Sequence, residues 1–238
     1  MQLDIQILRG HMTAAQLENT HESARKIYAT IKQRIVAWEY LPNHRITEEQ
    51  ITSEFHISRS PAREALQMLI ENGYVVKEAF KGYHVVETNL KFIQELYEFR
   101  LALELYTVSK AAEEMAEADW QKLYAYWGQD PENISANADT LANEDEQFHL
   151  IIAQQTRNSL FLERLEVIFE RLRIIRIYDF SSKERTVQTF NQHKKILECI
   201  KSHQVNDAQS ALIANIKSTE NSVEQSVAFA LSKAYLRT

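Results

Sequence analysis

The sequence predicts a mainly α protein in two parts: three short helices closed by a hairpin, then an all-α bundle of six helices. Three observations carry this. Helix breakers are scarce, four Gly and three Pro in 238 residues, and the chain is rich in Glu, Gln, Leu, Ala and Lys, which favour helix. The β-branched pairs Val75–Val76 and Val85–Val86 flank "FKGY", a hairpin signal. Beyond Thr88–Asn89 helical periodicity runs to the end, interrupted at "EADW", "GQDPEN", "TRNS", "DFSS" and "HQVND".

Composition excludes several classes. No apolar run approaches the roughly 20 residues that span a bilayer, so no membrane partner is expected. The single cysteine, Cys199, cannot form an internal disulfide and fits a reducing cytoplasm. "MQLDIQILRGHM" lacks the basic start and long apolar stretch of a signal peptide. Residues 1–20 read as an N-terminal extension, and its "GHM" has the form of a cloning scar. The net charge of −6 argues against a generally basic coat. From His21 to Glu87, however, nine Lys and Arg balance nine Asp and Glu, so the remaining chain carries all the acid excess. A neutral segment still binds DNA if its basic side chains converge on one edge.

The first part, residues 21–87, is taken in order. From 21 to 40 the stripe Ile27, Ile31, Ile35 and Trp38 predicts a helix. "LPNHR" breaks it. Thr47 opens a short second helix, with Gln50 at capping-box spacing. After the turn "HIS" a third helix starts near Ser58 or Ser60. Pro61 is compatible with its first turn, where a missing N–H costs little, and Asn72–Gly73 ends it. In this helix Ala62, Ala65, Leu66, Leu69 and Ile70 form the core stripe. Ser60, Arg63 and Gln67 face the other way, with Arg59 at the start. Helix, turn, Arg-bearing helix and hairpin make a winged helix-turn-helix, whose second helix enters the major groove N-terminus first. Arginine suits guanine O6 and N7. Ser58 and Ser60 can bond phosphate at the helix N-terminus. Lys81 and Gly82 form the wing tip. Taken singly, arginines on an exposed helix face are more often solvated surface charges; their joint arrangement favours DNA.

The second part, 88–238, is read as helices over about 89–115, 117–127, 132–156, 158–180, 182–203 and 205–235. On the first, Leu96, Phe99, Leu103 and Val108 suit a buried stripe. Arg100 and Glu104 form an i, i+4 pair, on spacing alone an ordinary surface pair of about 0.2–0.5 kcal/mol. Asp145 and His149, also four apart, share one helix face. Such a pair can grip a metal, share a proton or bond each other. Phe148, Tyr178 and Phe180 read as core. No P-loop or nucleotide fingerprint occurs.

"ISRSPAREALQMLIENGYVVKEAFKGYHVV" resembles the DNA-binding domain of GntR-family bacterial transcription regulators over about residues 24–87. The resemblance implies that Arg59, Ser60 and Arg63 read an operator, that Lys81 and Gly82 sit in the wing, and that a homodimer binds an inverted repeat. One departure stands out. Where several relatives offer DNA an arginine from the preceding helix, this chain has Glu48 and Glu49. Two acids there repel phosphate, so that contact is expected to be absent.

"LYEFRLALELY", "DEQFHLIIAQQTRNSL", "HKKILECI" and "AQSALIANI" resemble the effector-binding FCD domain of the family's FadR-type branch, and six helices resemble its shorter VanR-type subgroup. The resemblance implies a cavity in which Asp145, His149 and His193 ligate zinc, nickel or manganese, with Arg100 toward a small carboxylate effector. The fourth position falls on Asn215 rather than His, and an amide oxygen binds such ions more weakly. Three alternatives stay open: Asp145 merely orienting His149 in a metal-free pocket, an acyl-CoA effector, and a metal-dependent hydrolase, which would lack a general base at motif spacing. The leading reading is a ligand-responsive cytoplasmic regulator, not an enzyme.

Overall fold

The structure, a computed structural model, describes residues 14–235 apart from Phe80 and Thr88. The "GHM" segment, the Phe80 position of the hairpin tip and the Thr88 end of the joint lie outside these residues. The chain divides into two compact units, Met1–Glu87 and Thr88–Thr238.

In the first unit α1 (Ala14–Val36) packs on α3 (Arg59–Glu71), and α2 (Glu48–Phe55) packs on α3 as well. Helix α1 reaches back to Ala14, because "AAQLENT" holds no breaker. Its stripe is buried as expected at Ile27, Ile31 and Ile35, and joins Ala62, Ala65, Leu66 and Leu69 in one core. Each fully buried Leu there contributes about 1.5–3 kcal/mol. Thr47 caps α2 through the reciprocal bonds with Gln50 foreseen from sequence. Strands β2 (Val75–Glu78) and β3 (Gly82–Val85) form the hairpin, with Glu78 opposite Gly82. Gly82 has φ +92°, a conformation side-chain-bearing residues rarely adopt. A third strand, β1 (Arg45–Ile46), pairs antiparallel with β3 in the order β1-β3-β2. Helix α1 ends at Val36, ahead of "LPNHR" and short of the expected position 40, so buried Trp38, at φ +55°, lies beyond the helix; the last residue of "LPNHR" starts a sheet edge.

In the second unit the described residues form six α-helices: α4 (Leu90–Glu114), α5 (Glu117–Trp127), α6 (Ala138–Gln154), α7 (Ser159–Asp179), α8 (Lys183–Lys201) and α9 (Val205–Tyr235). Helix α6 starts later than position 132. Pro131–Asn133 make a separate 3-10 turn, and Asn137 resets the start by accepting the Thr140 N–H. Long helix α9 packs against α4, α7 and α8.

The expected stripe of α4 is corrected. Val108 is buried, but Leu96 and Leu103 are only half-buried and Phe99 is 49% exposed. The inward face is instead Ile93, Tyr97, Arg100, Glu104, Thr107, Val108 and Ala111. Two charged residues lie on that face because they satisfy each other, and this rotates the helix relative to an apolar-only reading. Phe148 and Phe180 are buried and Tyr178 is half-buried.

Candidate DNA-reading surface and buried polar cluster

Helix α3 buries one face and leaves Ser58, Arg59, Ser60, Arg63 and Gln67 exposed. Ser58 is its N-cap residue, yet its side chain makes no capping hydrogen bond. Its hydroxyl stands at the positive end of the helix dipole, a ready anion contact. Arg63, one turn into the helix, is 62% exposed, and its Nε donates to Glu48 Oε2 at 2.8 Å. The other oxygen of Glu48 accepts from the Tyr83 hydroxyl of β3 at 3.3 Å. In the wing, Lys81 is exposed and pairs with Glu78 at 2.8 Å. Arg45, exposed at the β1 edge beside Gly82, joins this surface. Sequence reasoning missed it, since a two-residue strand has too few positions to show alternation.

In the second unit a polar cluster is buried within the helices. Helix α4 supplies Arg100 and Glu104, α6 supplies Asp145, Glu146 and His149, α7 supplies Arg176, and α8 supplies His193. Arg100 and Glu104 are 2% and 1% exposed and joined at 2.5 Å, so this is no surface pair. Arg100 Nη2 lies 2.9 Å from His149 Nε2, and His149 Nδ1 lies 2.5 Å from Glu104 Oε2. A guanidinium only donates, so Nε2 accepts and Nδ1 carries the proton toward Glu104. A carboxylate behind the far nitrogen is the arrangement that orients metal-binding histidines. Burial alone would raise the Glu104 carboxyl, but the charge of Arg100 and the hydrogen bonds from Arg100 and His149 outweigh it and hold it at about 2.

Asp145 Oδ1 lies 3.2 Å from His193 Nε2 and 3.8 Å from His149 Nε2, while Oδ2 is paired with Arg176. The structure thus brings together the three sequence-expected ligands, Asp145, His149 and His193, with one ligand atom of each within 4.8 Å of the others. The 3.2 Å and 3.8 Å distances from Asp145 Oδ1 are of the size ligand atoms adopt around an ion at about 2 Å. His193 is fully buried, stacked on Phe148 at 3.8 Å and edge-on to Trp127 at 4.2 Å. Neither of its nitrogens makes an aligned hydrogen bond with the described residues. A buried imidazole without a bond is costly unless something ligates it, so the donor set fits a divalent ion. Burial lowers the pKa of both histidines; the charge of Arg100 adds to this at each, and Arg176 and His149 lower His193 further. Both are therefore neutral at pH 7, the form that ligates.

Asn215 is buried on α9, and its Nδ2 donates to Gln192 Oε1 at 3.1 Å. Its orientation is thereby set by the neighbour of His193. Arg176, which sequence reasoning missed, lies against Asp145 and over Phe169, whose ring also carries Arg100 at 5.2 Å. Burial and Arg100 pull Arg176 down to about 9, still cationic at neutral pH. Next to it, burial raises Glu146 to about 7 against the pull of Arg173, which bonds it at 2.9 Å.

A winged helix-turn-helix with an arginine-bearing recognition helix, and a separate helical unit with a charged heart, define a DNA-binding regulator. Residues 23–85 match the gntR family of bacterial regulatory proteins and residues 95–218 match the FCD domain; the chain belongs to the GntR family and carries an FCD domain. It is 26% identical over 204 residues to the Nta operon transcriptional regulator of Aminobacter aminovorans, covering 85% of this chain and 95% of that protein. Over 192 residues it is 24% identical to the uncharacterized HTH-type transcriptional regulator YdhC of Bacillus subtilis, covering 80% of this chain and 86% of that one. The fold is similar to that of McbR/YncC from E. coli, with a TM-score of 0.64 and 16% identity over 85% of this chain and 97% of the other. The chain is a transcriptional regulator, not an enzyme, which removes the hydrolase alternative. No described helix is long and apolar enough to cross a membrane.

Proposed function

We propose that this regulator is an effector-responsive homodimer that reads an inverted-repeat operator in the cytoplasm. Its FCD unit holds a divalent ion, with a small carboxylate as effector. The observation that carries the sensing half is the cluster itself. Two neutral, fully buried histidines and Asp145 converge, His149 is oriented by Glu104, and Arg100 and Arg176 stand beside them. The ion would add a Lewis-acidic centre with open positions, since Asn215 is a weak fourth donor. Around it, Arg100 and Arg176 offer forked donors for a carboxylate. A metal-free form of this reading rests on one contact: Arg100 already takes up the Nε2 lone pair of His149. Effector binding biases dimer geometries only through unequal affinity for them, and about 1–3 kcal/mol of coupling gives tens-fold regulation.

The test is thermal stabilisation of the purified chain by small mono-, di- and tricarboxylates, with and without zinc, nickel or manganese. Compounds that stabilise it are then assayed for their effect on DNA binding. Arg100→Gln unpairs buried Glu104, so its fold is checked first by circular dichroism, with the double variant Arg100→Met, Glu104→Met as the structural control. In the folded variants the response should be abolished and effector-free DNA binding kept; an unchanged response would remove Arg100 from the effector site.

On the DNA side, Arg59, Ser60 and Arg63 read bases or backbone, Ser58 contacts phosphate, and Lys81 and Gly82 serve in the wing. Arg63→Ala is expected to weaken specific binding by about 1–3 kcal/mol at fixed salt. Binding within twofold of wild type would sink that assignment.

The dimer reading is supported by an apolar face. Phe99 and Tyr106 on α4 and Leu160 and Val167 on α7 are 41–60% exposed, two turns apart on each helix. The two helices pack side by side, with Tyr106 stacked on Phe161 at 5.0 Å. The double variant Phe99→Glu, Leu160→Glu should run as a folded monomer in size-exclusion chromatography with light scattering. A dimer at unchanged concentration dependence would place the interface elsewhere.

A further inference from the structure

Glu48 is out of place by charge. It starts α2 on the surface that meets DNA, where a carboxylate repels phosphate. Yet both its oxygens are engaged, Oε2 by Arg63 Nε at 2.8 Å and Oε1 by the Tyr83 hydroxyl at 3.3 Å. One carboxylate thus ties together the first residue of α2, the recognition helix α3 and wing strand β3. Its side chain is 24% exposed against 62% for Arg63, so the acid is tucked behind the arginine rather than presented beside it. The capping box at Thr47 and Gln50 fixes the backbone of Glu48, and the helix N-terminus favours its negative charge. Tyr83 is itself anchored: Lys77 lies over its ring at 5.3 Å, and it pairs with Ile46 across β1 and β3.

The direction of the Arg63 contact matters. A guanidinium has five N–H groups, one on Nε and four on the two terminal nitrogens. Glu48 takes the Nε edge. The edge left open, Nη1 with Nη2, is a fork that can meet guanine O6 and N7. Arg59, by contrast, is exposed and has no such tether among the described contacts. As an exposed ion pair the Glu48–Arg63 contact adds little to stability, whereas as a rotamer lock it removes freedom that a long side chain otherwise loses on binding.

We propose that Glu48 is a positioning residue for operator reading. It holds Arg63 by Nε, braced by Tyr83, so that the terminal fork of Arg63 reads guanine, and it exchanges some general DNA affinity for sequence preference. This rests on the reading of Arg63 as an operator contact, and the test separates the two. The full-length chain and its Arg63→Ala, Glu48→Ala, Glu48→Gln and Tyr83→Phe variants are each used to select sites from a random duplex pool. Each is then titrated by fluorescence anisotropy, at fixed salt, against the best wild-type site and a scrambled duplex. Arg63→Ala should erase a guanine preference at one position; if it does not, the underlying reading of Arg63 fails. With that preference established, Glu48→Ala should cut the ratio of selected to scrambled affinity by roughly fivefold or more, flatten the same position and leave scrambled binding unchanged or tighter. Glu48→Gln keeps an acceptor for Nε and should retain most of the preference; Tyr83→Phe should lose part of it. A ratio within twofold of wild type in both Glu48→Ala and Tyr83→Phe would overturn the proposal. A ratio that rises in Glu48→Ala would overturn it too, making Glu48 a mask over Arg63. Should Glu48→Ala fail to fold by circular dichroism, Tyr83→Phe alone decides.

Discussion

Replacing Glu104 by Ala is expected to destabilise the FCD unit by about 3–5 kcal/mol, the cost of leaving a buried charge without its partner. Arg100 would keep its positive charge at 2% exposure, with the lone pair of His149 and the faces of Phe169 and Tyr97, but no carboxylate partner, left to meet it among the described contacts. The Nδ1 proton of His149 would lose its acceptor in the same stroke. Urea unfolding followed by tryptophan fluorescence measures this, because Trp127 packs against His193 inside the unit. The double variant Arg100→Met, Glu104→Met should recover much of the loss, since apolar replacement of an entire buried pair is often close to neutral. A loss under about 1 kcal/mol in Glu104→Ala would return the pair to the status of a surface ion pair.

The second large effect is on metal. Wild-type chain incubated with zinc, nickel or manganese and then dialysed should retain ion, and His149→Ala should retain none. Elemental analysis per chain is the measurement. At ligand concentrations of about 100 times Kd a bound ion adds roughly 2.7 kcal/mol to the folded form, so the thermal shift seen with metal should vanish in His149→Ala. Asn215→His should tighten retention. Because burial depresses both histidines below their ordinary 6.5, uptake should be flat from pH 8 to about 6.5 and fall only at lower pH. The sign is that of a base protonated reluctantly: neutral ligating nitrogens persist until the pH reaches the lowered values. A wild-type chain that never retains any of the three ions would leave Asp145 and His149 as polar lining.

Much of this architecture was legible in the sequence because its signals are local. Few breakers stand between the helices, and the caps at Thr47 and Asn89 fix starts as their side chains imply. The core of the first unit could be read from Ile27, Ile31 and Ile35, where burial follows hydrophobicity. In α4 it does not, and that is where the reading went astray. Arg100 and Glu104 occupy inward positions that periodicity assigns to apolar residues, while Phe99 is turned out. The Asp145–His149 spacing pointed to a shared face, but His193 comes from another helix and could be joined to them only through family resemblance. Arg176 was invisible for the same reason: nothing along α7 distinguishes it from Arg171 or Arg173 until Asp145 is placed against it. The Glu48–Arg63 contact crosses from one helix to the next, and from sequence Glu48 registered only as a repulsive charge.

The cluster of Asp145, His149 and His193 is buried in the FCD unit, where the His193 ring stacks on Phe148 and meets Trp127 edge-on. On the proposed reading, an ion held there would also be part of what keeps the chain from unfolding. Inside a cell, copies without ligand would expose more unfolded chain to proteases and disappear sooner, since abundance responds severalfold to about 1–2 kcal/mol. The amount of regulator, as well as its hold on the operator, would then follow the signal. A small molecule that arrives slowly would find fewer receptors than one that is always present, giving the switch a memory set by protein half-life.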